Sequence, residues 1–182
     1  MSKVLITGGS GHLGSLLTKL LQDKEYDVWV LDTKFPDHHT NPNESNLDHL
    51  YQYLPFDINQ PFPADFAEEY DAVVHLAAKV DTEESTKMPI QYYITNINGT
   101  MNCLSKLKTK NFIFASTDSA EQCEDPYSVS KRAAEDCVIE YCMMHNPKDF
   151  SIIRISKETD DEAVISTLAQ AIESPTNSII KI

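Results

Sequence analysis

The sequence has few basic residues and no long apolar run. Only 15 Lys and Arg stand against 28 Asp and Glu, which gives a formal net charge of −13 at pH 7. A protein that binds nucleic acid needs a basic stripe to contact the phosphate backbone, so we predict no nucleic-acid partner and interpret the acidity as an aid to solubility. No apolar stretch approaches the length of a membrane span, and the N-terminus leads directly into a strand pattern rather than a leader sequence. We therefore expect no membrane partner.

Paired cysteines are also missing. The four cysteines form no C-x-x-C motif and fall in or beside predicted helices and a loop, at Cys103, Cys123, Cys137 and Cys142. This pattern predicts reduced, structural thiols and a cytoplasmic location. Three histidines lie in a polar segment that has no framework of spaced cysteines or carboxylates, at His38, His39 and His49. We expect these histidines to be solvated and predict no metal site.

The stretch KVLITGGSGHLG at residues 3–14 carries the main functional signal. It reads as an apolar strand, a glycine-rich turn and the start of a helix, with glycines at Gly8, Gly11 and Gly14. In a phosphate-binding turn one glycine permits the sharp turn, one lets the backbone approach a pyrophosphate, and one lets the helix pack closely on the strand. The helix N-terminus contributes free N–H groups and the positive end of its dipole. A second strand that ends in Asp32 completes the context of a dinucleotide site.

Strand and helix patterns alternate along the chain, whose 182 residues suit a single domain. Apolar runs predict strands at residues 4–6, 28–31, 52–56, 72–76, 111–116, 150–155 and 178–182. Helical spacing predicts helices that begin at residue 12 and that span 89–107, 125–145 and 160–173, with shorter ones near 46–51 and 64–70. The alternation specifies an α/β fold, a Rossmann-type doubly wound parallel sheet in three αβα layers, with the ligand beyond the carboxyl ends of the strands.

Two residues of the helix predicted at 125–145 suggest acid–base chemistry. Tyr127 and Lys131 lie four positions apart, so a helix places them on one face. An ammonium within about 4–6 Å favours the phenolate and lowers the tyrosine pKa, which suits the interconversion of an alcohol and a ketone. Ten residues before the tyrosine, Thr117 ends a buried strand and can place its hydroxyl on the same oxygen. The Tyr-x-x-x-Lys spacing alone is common on helix surfaces, but after a dinucleotide motif it predicts a catalytic set of Thr117, Tyr127 and Lys131 beside a nicotinamide.

These motifs occur in an order that resembles the extended short-chain dehydrogenase/reductase family, in particular its NAD-dependent epimerase/dehydratase branch. The segments that carry the resemblance are ITGGSGHLG, VLD, FDI at 56–58, YDAVVHLAA at 70–78, PIQYYITNINGT at 89–100, NFIFAST at 111–117 and PYSVSKRAAE at 126–135. They extend to about residue 155. The resemblance implies the catalytic set named above and a homodimer formed through the two long helices at 89–107 and 127–145. Apolar residues available for such a contact are Met101, Tyr141, Met143 and Met144.

The resemblance also implies which positions bind the cofactor. Those expected at the pyrophosphate are Gly8, Gly11, His12 and Leu13. Asp32 is expected to bind the hydroxyls of the adenosine ribose, with Thr33 beside it. The remaining positions expected to bind the cofactor are Asp57 and Ile58 at the adenine, Leu76, Ala77 and Ala78 along its middle, Lys131 at the nicotinamide ribose, and Asn96 in the central helix, where the family keeps an asparagine.

Charge at the end of the second strand favours NAD over NADP. A 2′-phosphate placed against Asp32 would meet like-charge repulsion. Lys34 lies two residues further on and can soften this repulsion. We predict NAD as the cofactor.

Three departures from the family pattern bear on activity. Only ten residues separate Thr117 from Tyr127, where the family has a longer loop. Asp118 is followed by Ser119 rather than by the second acid that the family's dehydratases use, so elimination of water is disfavoured. Residues 155–182 read as a minimal helix and strand in place of a substrate-binding region. We interpret the chain as a natural minimal version of one NAD-binding domain, residues 1–182.

The prediction that follows is an NAD-dependent epimerase or oxidoreductase. It would interconvert hydroxyl and keto groups, on a nucleotide sugar, through Tyr-Lys-Thr hydride-transfer chemistry. Two alternatives stay open: a catalytically inactive NAD(H)-binding module or subunit, and a ketoreductase for a small substrate. The retained catalytic residues favour an enzyme, and the short C-terminal region favours a binding module or a partner that supplies a cap.

Overall fold

We analysed a computed structural model of the chain, which describes residues 1–34, 51–63, 66, 68–145 and 148–182. The three histidines expected to be solvated lie outside these residues, as does the helix predicted at 46–51 except for its last position. No helix in the described ranges is both long and apolar enough to cross a membrane.

Seven strands of the described chain form one parallel sheet. They are β1 (Lys3–Thr7), β2 (Asp27–Asp32), β3 (Tyr51–Pro55), β4 (Glu69–His75), β5 (Lys108–Thr117), β6 (Asp149–Ile155) and β7 (Ser178–Lys181). Their order across the sheet is β3-β2-β1-β4-β5-β6-β7, so the chain starts in the middle and builds outwards in both directions. Every pairing is parallel, as expected when helical crossovers connect the strands.

Helices cover both faces of the sheet. They are α1 (His12–Asp23), α2 (Thr82–Lys87), α3 (Pro89–Tyr93), α4 (Thr100–Lys106), α5 (Pro126–Glu140) and α6 (Asp161–Glu173). On one face Leu17 of α1 and Leu168 of α6 are fully buried against β1 and β4. On the other face Leu104 of α4 and Val138 of α5 are fully buried against β5. The layers confirm the predicted three-layer αβα fold with a doubly wound parallel sheet.

The two long predicted helices contain π-helical segments. Between α3 and α4 the chain continues as a π-helix at Ile94–Gly99, and α5 ends in another at Tyr141–His145. Gly99, the last residue of the first π-helix, packs against the side chain of Ile58. The helices predicted at 89–107 and 125–145 are thus present, each with a π-helical segment. The helix α2 was not predicted from the sequence.

The short helix predicted near residues 64–70 is wrong at its C-terminal end. Glu69 and Tyr70 begin β4, where they pair with Lys108 and Thr109 of β5. Tyr70 is fully buried, with its ring 6.1 Å from that of Trp29. Burial against the neighbouring strands outweighs the helix preference of the acidic segment that precedes Tyr70.

The C-terminal residues form the helix and strand expected of them. The side chain of Asp160 caps α6 by accepting a hydrogen bond from Ala163 N at 2.8 Å. β7 then pairs with β6 and extends the sheet by one strand. The helix and the strand predicted after residue 155 are thus observed.

Candidate active site

A cleft of about 930 Å³ opens at the carboxyl ends of the strands, where a doubly wound sheet binds its ligands. Every residue predicted to bind the cofactor or to act in catalysis lines this cleft, except Asn96. The topology explains the convergence, because the ends of β1, β2, β4, β5 and β6 meet at one edge of the sheet. Residues that lie far apart in the sequence therefore form one continuous wall.

The glycine-rich turn has the three properties that its spacing predicts. Gly8 has φ +73°, and a Cβ there would lie 2.6 Å from Ala77 N, so only glycine fits the turn. A Cβ on Gly14 would lie 2.4 Å from Gly8 O, so glycine is what lets α1 pack against the turn. A Cβ on Gly11 would meet only Gly8 O, at 3.2 Å. Gly11 also begins α1 without a side-chain cap, which leaves backbone N–H groups available there.

Asp32 is held in a fixed orientation at the end of β2. Its Oδ2 accepts a hydrogen bond from Ser10 N at 3.0 Å, and its Oδ1 accepts one from Lys34 N at 3.0 Å. Ser10 Oγ donates to Lys34 O at 2.7 Å, which ties the glycine-rich turn to the same segment. Each carboxylate oxygen keeps further acceptor capacity that a ribose hydroxyl can use.

The segment after β3 is fastened to the helices on the far side of the cleft. Asp57 Oδ1 accepts from Asn59 N at 2.9 Å, which closes a local turn. Asn102 of α4 donates through Nδ2 to Ile58 O at 2.9 Å. Asp57 and Ile58 are therefore placed beside the opening, at the end where an adenine is expected.

A neutral histidine supports the wall formed by residues 76–78. His75 is fully buried, and burial lowers its pKa to about 3. Its Nδ1 lies 2.7 Å from Thr7 Oγ1, and its Nε2 lies 2.9 Å from Thr100 Oγ1. Thr100 donates its own hydroxyl hydrogen to Asn96 O at 2.8 Å, so the histidine must donate through Nε2 and accept through Nδ1.

Asn96 lies behind the cleft wall rather than in it. It is 1% exposed, and its Oδ1 accepts from Lys79 N at 2.8 Å while its Nδ2 donates to Lys79 O at 2.9 Å. Nδ2 also donates to Ser130 Oγ of α5 at 2.8 Å. The side chain therefore fixes the backbone of a lining residue, and its direct contact with a cofactor stays a prediction.

The three predicted catalytic residues meet at the ends of β5 and α5. Asp125 caps α5 by accepting from Ser128 N at 2.9 Å, and Pro126 starts the helix, so Tyr127 falls in the first turn. Thr117 and Tyr127 both line the cleft there, and the Thr117 hydroxyl donates to Asp118 Oδ1 at 3.2 Å. Lys131 follows one turn later on the same face of the helix.

Lys131 is almost completely buried, at 4% exposed. Its Nζ donates to Ala115 O at 2.6 Å and lies 4.1 Å from the centre of the Phe114 ring. Burial lowers the pKa of Lys131 to about 7. The lysine is thus poised to exchange a proton near neutral pH.

The pKa of Tyr127 does not shift in the expected direction. From the sequence we expected the Lys131 ammonium to lower it. Burial instead raises the pKa of Tyr127, and the Thr117 side chain acts in the opposite direction with a smaller effect. The lysine is instead directed at a backbone carbonyl of β5. In this structure Thr117 is the group that favours the phenolate.

Several lining residues were not found by sequence reasoning. Lys79 and Thr82 reach the cleft because α2 begins there, and no spacing in the sequence signals that short helix. Lys79 Nζ pairs with Glu84 at 3.0 Å, and Tyr92 donates its hydroxyl to the same carboxylate at 2.8 Å. The ring of Tyr92 packs edge-on at 6.5 Å from that of Tyr127, which links this group to the predicted catalytic residues.

Comparison with known proteins agrees with this geometry. A 27% identical relative over 173 residues is a putative UDP-arabinose 4-epimerase from Arabidopsis thaliana, with 78% of this chain and 38% of the relative covered. A UDP-glucose 4-epimerase from Schizosaccharomyces pombe is 30% identical over 122 residues, which cover 63% of this chain and 34% of the relative. The chain thus spans little more than a third of the length of these curated relatives.

A solved structure shows the same fold over the whole chain. It is a UDP-N-acetylglucosamine 4-epimerase from Methanobrevibacter ruminantium in complex with UDP-N-acetylmuramic acid, with a TM-score of 0.80 at 18% identity. The likeness covers 100% of this chain and 76% of that one.

The sequence model of one family matches residues 4–159, which include all the predicted site residues. Its description names NAD, in agreement with the predicted cofactor. The chain belongs to the NAD-dependent epimerase/dehydratase family.

Proposed function

We propose that this chain binds NAD in the cleft and provides the catalytic half of an enzyme that interconverts hydroxyl and keto groups of a nucleotide sugar. The observation that carries the proposal is a single cleft lined both by a glycine-rich turn and by Thr117 and Tyr127, with Lys131 one helical turn after the tyrosine. A protein that only binds a dinucleotide would need the glycine-rich turn but not the threonine, the tyrosine and the lysine.

The residues present fit a dinucleotide. Gly11 is the N-cap of α1, and the space that a Cβ would fill there is open except for Gly8 O. A pyrophosphate can approach the backbone through this space, where the N–H groups of the helix N-terminus favour an anion. Asp32 would hold the adenosine ribose, because two backbone N–H groups already orient its carboxylate. Lys131 would approach the nicotinamide ribose from the end of β5. Bound NAD supplies a hydride acceptor and, when reduced, a hydride donor.

Proton movement is assigned to Tyr127. We propose that its phenolic oxygen takes the proton from the substrate hydroxyl during oxidation and returns one during reduction. The Thr117 side chain acts to lower the pKa of Tyr127, and Lys131 lies one helical turn after the tyrosine. An epimerase would rotate the resulting ketone and reduce it from the opposite face.

A nucleotide sugar is proposed as the substrate class because the relatives and the solved structure are epimerases of such sugars. The cleft supports an anionic substrate: it is lined by Lys79 and Lys157, although the chain as a whole carries a net charge of −13. The ammonium of Lys157, together with that of Lys79, which is paired with Glu84, would attract the diphosphate of a nucleotide sugar more strongly than a neutral ketone.

Calorimetric titration with NAD tests the proposal first. We expect micromolar binding by the wild type and none by Gly11→Val, whose side chain would occupy the open side of the turn. Lys106→Gln, which changes a lysine on α4 away from the cleft, is the matched control and should bind as the wild type does. Absence of NAD binding by the wild type would refute the proposal.

Turnover separates an enzyme from a binding module. The wild type should interconvert UDP-sugars in the presence of NAD, and Tyr127→Phe should bind NAD without turnover. NAD binding without any turnover by the wild type would favour the inactive module instead. Reduction of small ketones at a higher rate than of UDP-sugars would favour the ketoreductase.

We also propose a homodimer through the helices at 89–107 and 127–145. Large exposed apolar side chains on these segments support it, namely Ile90, Ile94, Val129, Met143 and Met144. Met101 and Tyr141 instead pack partly against the core of their own chain. Sedimentation velocity should show a dimer that Ile90→Glu/Ile94→Glu dissociates. The unpaired state of all four cysteines supports a cytoplasmic location, which cell fractionation would test.

A further inference from the structure

A buried ion pair lies one helical turn beyond Lys131. Glu135 of α5 is fully buried, and its carboxylate accepts hydrogen bonds from Arg154 Nε at 2.9 Å and from Arg154 Nη2 at 2.6 Å. Arg154 lies near the end of β6 and is 4% exposed. The planar guanidinium therefore binds both oxygens of the carboxylate, which fixes the position of each partner as well as their separation.

The same pair reaches the end of β5 and the turn that follows it. Ser116 Oγ donates to Glu135 Oε1 at 2.5 Å, and Ser116 pairs directly with Arg154 across the two strands. Arg154 Nη1 donates to Glu121 at 2.8 Å, in the 3₁₀ turn at Asp118–Glu121 that begins immediately after Thr117. One buried contact thus joins α5, β5, β6 and this turn.

Lys131 shares a face of α5 with Glu135, because residues four apart on a helix are neighbours. Glu135 acts to raise the pKa of Lys131 and opposes the larger lowering by burial. The other titratable groups that face Lys131 are His75 of β4, which is kept neutral by burial, and Tyr127 of the preceding turn, which burial also keeps neutral. Arg154 is the nearby cation, and it is engaged with Glu135.

We propose that Glu135 is a positioning residue for the hydroxyl–keto chemistry: its carboxylate, fixed by Arg154 one helical turn beyond Lys131, favours the charged form of the Lys131 side chain at the end of β5. Because Arg154 also holds the turn after Thr117, the same anchor sets the positions of both the threonine and the lysine. This inference rests on the proposed function for its purpose, but the contact itself is a property of the protein without cofactor.

The test is a direct titration of Lys131 in the cofactor-free protein. Lysines labelled with ¹³C at the ε carbon are followed by NMR against pH, and the Lys131 signal is assigned by its loss in Lys131→Arg. In Glu135→Gln we expect the Lys131 midpoint to fall by about one unit or more, because the charge of Arg154 is then uncompensated. In Glu135→Leu/Arg154→Met both charges are removed, so the midpoint should fall by less.

This order of effects distinguishes a charge role from a packing role. The double variant also keeps the proposal testable if Glu135→Gln does not fold. Replacement of both partners of a buried ion pair by apolar residues often preserves stability, whereas removal of one partner does not. Arg132→Gln/Asp136→Asn removes an exposed ion pair on the same helix and should leave the midpoint unchanged. An unchanged midpoint in either folded variant, or a larger fall in the double variant, overturns the proposal. Failure of the wild type to bind NAD would refute the proposed function but leave this titration readable.

Discussion

Substitution of two glycines by alanine should separate folding from cofactor binding. Gly14 lies in the first turn of α1, where a new Cβ would be 2.4 Å from Gly8 O and 2.6 Å from Gly9 Cα. Both atoms belong to the backbone, so the turn or the helix must move. Gly11 precedes α1, and a Cβ there would meet only Gly8 O, at 3.2 Å. The first change strains the fold, whereas the second fills space next to the helix N-terminus.

The magnitudes follow from opposing effects at each site. Overpacking costs about 1–3 kcal/mol, and contacts of 2.4 and 2.6 Å with backbone atoms place Gly14 at the upper end of that range. The better helix propensity of alanine returns about 1 kcal/mol, so we expect a net loss of about 2 kcal/mol. For a chain of this size that corresponds to a fall in Tm of about 4–8 °C. At Gly11, loss of a favourable capping residue costs no more than about 1 kcal/mol. NAD affinity of Gly11→Ala should fall about tenfold or more, because the methyl group blocks close approach of the pyrophosphate.

Urea unfolding and calorimetric titration with NAD measure the two effects independently. Ser15→Ala is the control, since it changes an exposed hydroxyl on α1 whose hydrogen bond, to His12 O, is local. It should leave both quantities nearly unchanged. The reasoning fails if Gly11→Ala binds NAD with the affinity of the wild type, or if Gly14→Ala unfolds at the same urea concentration as the wild type.

Three further predictions concern charge and protonation. Asp32→Ala should reduce the preference for NAD over NADP at least about tenfold in competitive titration, because like-charge repulsion of a 2′-phosphate is removed; an unchanged ratio contradicts the charge argument. Thr117→Val should raise the pKa of Tyr127, measured by ultraviolet difference titration, since it removes the hydroxyl that favours the phenolate. His75 has a folded pKa of about 3, below its unfolded value of about 6.5, so the unfolded chain gains the proton first as pH falls and stability is lost. Between pH 7.5 and 5.5 this residue should cost about 1.4 kcal/mol of unfolding free energy, a loss that His75→Gln should not show.

The sequence contained enough local information to predict most of the fold. Continuous apolar runs such as that of β4 and the glycine turn before α1 depend on neighbours in the chain, and they were correctly read. The helix assigned near residues 64–70 failed because the burial of Tyr70 depends on strands that lie elsewhere in the sequence. The short helix α2 was missed because its six residues, which follow one capping aspartate, are too few to show a helical pattern of apolar positions.

The site was predictable as a set of residues but not as a set of contacts. The lining of the cleft follows from strand order, so positions at strand ends were found by pattern and resemblance. Hydrogen bonds depend on side-chain direction, which spacing does not determine. Asn96 therefore turned out to bond the backbone of Lys79, and the ammonium of Lys131 turned out to face Ala115 O rather than to lower the pKa of Tyr127.

The bonds of Asn96 have a consequence for how this cleft can diversify. They grip the main-chain N and O of residue 79, not its side chain. Any residue other than proline can therefore occupy that position without loss of the contact that shapes the wall. The side chain at position 79, and with it the charge of the cleft lining, can therefore change while the backbone that Asn96 holds stays in place.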